Sequence, residues 1–91
     1  MIRDTAEKIK ELFRTRKRDY TFTFNKQDMA NVAVLEDLAK FCRANETTFV
    51  KDERLSAVLE GRREVWLRIQ NYLNLSSDEL YNLHSIRIKG E

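Results

Sequence analysis

Enzyme chemistry starts from a nucleophile, a base or a metal set, and this sequence offers few of each. Cys42 is the only thiol and His84 the only imidazole, so a thiol–imidazole dyad would have to be these two. Cys42 falls on the apolar stripe of a helical pattern and reads as a small core residue. His84 opens "HSIRIKGE", which reads as a frayed tail, so the imidazole is expected to be a solvated surface group. Carboxylates alone can serve as acid and base, and Glu36, Asp37, Glu60 and Glu64 are the candidates. Glu36 with Lys40 and Glu64 with Arg68 are instead well-spaced i,i+4 pairs on helix surfaces. Neither zinc-ligand spacing nor a phosphate-cradling glycine loop occurs. The expectation is a protein that is not an enzyme, with no catalytic residue, no metal and no cofactor.

Binding chemistry has more to work with. "RTRKR" puts Arg14, Arg16, Lys17 and Arg18 within one and a half helical turns, followed directly by the rings of "DYTFTF". Positive charge beside aromatic rings is how single-strand binders hold nucleic acid. Residues 1–26 carry eight basic and four acidic groups, whereas 27–91 carry nine and eleven. The whole chain is only +2, and attraction to a phosphate backbone scales with the number of phosphates neutralised. A helix also commonly ends in bases, which suits its dipole. Nucleic-acid contact through Arg14, Arg16, Lys17 and Arg18 is therefore the second choice, behind protein–protein contact.

The elements that position these groups are mostly helical. Ninety-one residues make one small domain, burying about 60–65% of the unfolded surface. No proline and only two glycines, Gly61 and Gly90, favour helices with short connections. A first helix spans "DTAEKIKELFRTRKR", with Ile2, Ala6, Ile9 and Phe13 at helical spacing. "YTFTFN" then alternates ring and threonine, which is a strand pattern with nothing in the chain to pair it. An extended aromatic arm laid on the core is preferred, with half of an intermolecular ribbon as the alternative. A second helix is expected from about 27 to 43, with Val32, Leu35, Leu38, Ala39 and Cys42 on its stripe. A loop follows in "ANETTFVKDE". Asp52 caps a third helix from about 53 to 74, and Ser76 or Ser77 with Asp78 or Glu79 starts a short fourth. The fold class is all-α: three to four helices, an antiparallel pair formed by the second and third, and the aromatic arm. The segments expected are a basic helix and arm over 1–26, a helical core over 27–84 and a flexible tail over 85–91. No apolar run approaches the ~20 residues that a membrane span needs. One cysteine allows no internal disulfide, which suits a cytosolic setting.

Within the third helix, "LEGRREVWLRIQ" is the odd stretch. Trp66 sits mid-stripe and is expected to fill the core. Arg62 lies on the same line, seven residues after Leu55 and four before Trp66. An unpaired buried guanidinium would cost several kcal/mol, so Arg62 needs an edge or an acid such as Asp28, Glu36 or Asp37. Gly61 weakens the helix by about 1 kcal/mol relative to alanine. A second chain segment crossing closely, with no room for a Cβ, would explain it.

Val34 to Leu80 resembles a Bordetella-phage-type family of short tailed-bacteriophage proteins. The elements that carry the resemblance are Leu35, Leu38, Phe41 and Cys42, then Thr47 and Phe49, then Glu60 to Arg63 with Val65 to Ile69, and Leu73 to Ser76. The basic first helix and "YTFTF" fall outside it. The resemblance implies a protein of phage infection, encoded near genes for virion structure and packaging and located in the virion or the host cytoplasm. It supplies a setting and not a mechanism. It also suggests treating Glu60, Arg62, Arg63 and Trp66 as one unit. The preferred reading makes Glu60, Gly61, Arg62 and Trp66 a structural motif of the helical core; the alternative makes Arg63 and Arg68, on the outer face, contacts for another virion protein. Tyr20, Phe22 and Phe24 are further candidate partner contacts, and self-association through them is a further option. The function expected is a non-enzymatic accessory protein, a minor virion structural or assembly component. The alternative is a small nucleic-acid-binding or regulatory protein.

Overall fold

A computed structural model describes residues 2–90, with side chains over 5–87. Met1 and Glu91, the ends of the expected N-terminal segment and tail, lie outside the described residues. Four helices follow in order: α1 (Ile2–Thr23), α2 (Met29–Phe41), α3 (Glu53–Asn74) and α4 (Ser77–Gly90). No strand occurs among the described residues, and the protein is all-α.

The helix starts are set by side chains. Asp28 accepts from the Ala30 amide at 2.9 Å and starts α2. Asp52 accepts from the amides of Arg54 and Leu55 and starts α3. At α4 the capping is reciprocal: the Glu79 amide donates to Ser76 Oγ, and the Ser76 amide donates to Glu79 Oε1, each at 3.1 Å. The end of α2 is closed without glycine. Arg43 takes φ 52°, the Ala44 amide reaches back to Ala39 O, and the Arg43 amide to Lys40 O. These are the two bonds of a Schellman turn, with a left-handed arginine where glycine would be unstrained.

The chain forms two compact units: Met1–Thr23 with Gln70–Glu91, and Phe24–Ile69. In the first unit α1 packs on α4, the closest helix pairing among the described residues, where the sequence pattern points to the second and third helices. Phe13, Tyr72 and Leu80 are its buried centre, flanked by Ile9, Tyr20, Leu75 and Tyr81. His84 lies edge-on to the Phe13 ring, 5.7 Å between centroids, and is half-buried rather than solvated.

The extended aromatic arm does not form. Tyr20 to Thr23 continue α1, because Tyr20 falls seven residues after Phe13 on one face. Its ring stacks on Tyr72 at 4.5 Å with 18° between planes, and Phe13 meets the same ring at 6.4 Å. That burial outweighs the weak strand preference of alternating threonines. α4 likewise continues to Gly90 through the stretch expected as a tail, since no breaker interrupts it earlier.

In the second unit Leu35, Cys42, Leu59 and Ile69 are buried, with Thr48 the buried polar side chain. Cys42, the C-cap of α2, is 3% exposed and behaves as the small core residue expected. Trp66 is only half-buried and is not the centre of this core.

Candidate interaction surfaces

The polar residues of α3 hold down an extended segment. A turn over 43–46 leads into residues 47–50, which run back along the helix, and three contacts of α3 fix the stretch 44–50 in register. Arg63 Nη2 donates to Ala44 O at 2.7 Å, Thr48 donates its hydroxyl to Glu60, and the Val50 amide donates to Ser56 Oγ at 2.9 Å. Ser56 Oγ also lies 3.2 Å from the carbonyls of Thr48 and Val50, either of which can take its proton. Ser56, Glu60 and Arg63 sit at i, i+4 and i+7, one side of α3, with buried Leu59 between them. Trp66 lies one turn past the last of these contacts, so the segment does not reach to cover it. Arg43 Nη1, just before the segment, donates to Thr47 O at 3.0 Å.

This changes the reading of "EGRR". Arg63 is half-buried and spends its guanidinium on a backbone carbonyl, rather than facing outward as a partner contact. Arg62 finds a ring and not an acid: its guanidinium carbon lies 4.3 Å from the Phe41 centroid. Gly61 is not a crossing point, since a Cβ built there meets nothing within 4 Å. Arg68 is exposed on the same helix. Ser56 and Thr48 are the residues that sequence reasoning missed. The available signal was a set of hydrogen-bonding side chains at i, i+4 and i+7 facing a loop rich in asparagine and threonine.

The Arg62–Phe41 contact joins two helix faces. On α2, Val34, Asp37 and Phe41 stand at i, i+3 and i+7; on α3, Val58, Arg62 and Val65 stand at i, i+4 and i+7. Val34, Phe41, Val58 and Val65 are each between 50% and 56% exposed, and Leu55 lies one turn before Val58 with similar exposure. Single exposed apolar residues are ordinary, but a contiguous set around a ring and a guanidinium has the composition of an interface core. It is uncovered in this chain.

The basic helix is largely committed within its own unit. Lys17 Nζ donates to the carbonyls of Tyr72 and Leu73 at 3.2 and 3.4 Å, closing the C-terminal turn of α3 where a cation suits the dipole. Lys10 lies 3.8 Å from Asp78 in the first turn of α4 and 5.3 Å from the Tyr81 centroid. Arg14 pairs with Glu11, Nε to Oε2 at 2.9 Å, and that hydrogen bond holds its guanidinium more firmly protonated than usual. Arg18 meets Asp19 at 3.3 Å, and Arg16 is exposed. Arg14, Lys17, Arg18 and Thr21 line an open depression with Ser76 and Ser77 at the α4 N-terminus. Of the aromatic candidates, Tyr20 is committed to Tyr72, Phe24 is half-buried, and Phe22 is 84% exposed.

The family model described as Bbp19-like phage protein matches residues 14–83, and the chain belongs to that family. The match is wider than the resemblance legible from Val34 to Leu80: it takes in the arginine cluster and Tyr20 to Phe24. No curated protein and no solved structure matches the chain.

Proposed function

From its membership of a phage family, we propose that the chain is a non-enzymatic virion or virion-assembly component that works through protein contacts. The observation that carries this reading is the uncovered apolar surface of Val34, Phe41, Val58 and Val65 around Arg62. A domain of this size has little apolar material to spare, and leaving it outward is useful only where another surface covers it. Both residues that might have supplied a nucleophile and a base are engaged in packing, Cys42 in the core and His84 against Phe13. No helix among the described residues is long and apolar enough to cross a membrane. The test is mass spectrometry of purified particles. A virion component is recovered at fixed stoichiometry through density-gradient purification. An assembly factor is missing from mature particles but enriched in precursor particles, and absence from both refutes the proposal.

The depression beside the α4 N-terminus, lined by Arg14 and Arg18, supports a second reading, in which a phosphate-bearing polymer is held there and by the exposed Arg16. Arg14 and Arg18 already have carboxylates nearby at Glu11 and Asp19, and Lys17 is occupied by backbone carbonyls. Few phosphates would be neutralised, which places this reading second. Replacing Arg14, Arg16 and Arg18 with glutamine would abolish salt-dependent DNA or RNA binding if this reading held.

A further inference from the structure

We infer that the surface around Arg62 and Phe41 docks a second copy of this chain, with Asp37 of each copy meeting Arg62 of the other. The inference rests on the reading of this face as a protein contact and names what covers it. Charge decides the occupant. The face carries two charged side chains at its centre, one of each sign: Asp37 between Val34 and Phe41 on α2, and Arg62 between Val58 and Val65 on α3. Neither makes an ion pair among the described residues, although other carboxylates and bases of the chain do. Asp37 is exposed, and the contact of Arg62 is the Phe41 ring.

A surface with one sign of charge repels its own image. A surface with one acid and one base side by side does not. A two-fold axis through the patch places residue i of one copy on residue j of the other, and j on i, so a mixed pair is satisfied twice by one operation. The apolar groups on either side, Val34 and Phe41 against Val58 and Val65, come together under the same axis. Arg62 can keep its place over Phe41 while its outward N–H groups reach the incoming carboxylate, since a guanidinium presents a ring-stacking plane and an in-plane fork of donors. Arginine and aromatic side chains are also the residues enriched at the centres of such contacts.

Sedimentation of the full chain across a concentration series tests this, with circular dichroism confirming that each variant is folded. The wild-type chain is expected to dimerise reversibly. Asp37→Arg and Arg62→Glu, each placing two like charges across the axis, weaken the dimer by about tenfold or more, and the exchange D37R/R62E in one chain restores it. If Arg62→Glu fails to fold, Asp37→Arg and Val65→Asp on the exposed face carry the test, each expected to give monomers. A wild-type chain that stays monomeric up to about 1 mM overturns the inference. So does a dimer that neither reversal weakens, or one that the double exchange fails to recover. Particle composition is read separately, so a monomeric virion protein would defeat this inference alone, and a dimer absent from all particles would defeat only the functional reading.

Discussion

The two compact units use the same kinds of residue to opposite ends. In the unit built from α1, α4 and the end of α3, Phe13 and Tyr20 both rest on the Tyr72 ring and His84 closes on Phe13, with Phe22 left outward. Lys10 and Lys17 also turn to its own acid and backbone groups. In the unit from Phe24 to Ile69, the ordering contacts are polar, and Phe41, Phe49 and several valines are turned outward. Both units have a buried centre; the first builds its own on rings, whereas the second adds a fastened segment to an aliphatic one and leaves apolar surface over. Such a division lets one part of a small chain supply stability while another offers contact surface.

Substitutions can break that contrast, and the largest effect is expected at Tyr72. Tyr72→Ala removes the ring on which both Tyr20 and Phe13 rest and should cost about 3–5 kcal/mol in urea unfolding. A loss under about 1 kcal/mol would mean that the ring cluster is not what holds this unit. Next comes the fastening. Glu60→Ala leaves the buried Thr48 hydroxyl without its acceptor and should destabilise by about 1–3 kcal/mol, while Thr48→Val, which strands no buried group, should cost clearly less. Equal losses from the two would argue against a hydrogen bond that matters. Gly61→Ala is expected to act in the other direction. With open space at its Cβ, alanine should stabilise by about 1 kcal/mol and raise the melting temperature by roughly 4–8 °C. The smallest effect belongs to the outward face: Val65→Ser, measured on dilute protein, should move unfolding by no more than about 0.5 kcal/mol.

Much of the helical plan was legible because its signals are local. Asp52 before an apolar stripe located the start of α3, and Ser76 with Glu79 located that of α4, since a cap is a bond between neighbours in sequence. "YTFTF" misled for the opposite reason. Its alternation is a local strand signal, but Tyr20 is placed by Tyr72, a residue far along the chain. The segment fastened to α3 was not legible, although it occupies the side of the helix that carries Ser56, Glu60 and Arg63. Two of the three partners there are backbone groups, which every residue has, so side-chain types could not announce them. Arg62 lies on the apolar line of α3, and its contact among the described residues is the Phe41 ring rather than a carboxylate. Gly61 shows that a helix can carry a glycine that no neighbouring atom demands.

Cys42 turns the fastened unit into something that can be timed. It is the only sulfhydryl in the chain and is 3% exposed, so a reagent reaches it only when the second unit opens. Its modification rate under native conditions therefore reads the opening equilibrium of residues 24–69 alone, without any engineered label. Loosening the segment at Glu60 should quicken that reaction, and Tyr72→Ala should do so only as far as it unfolds the second unit as well. The thiol thus measures whether the two units open as one or independently.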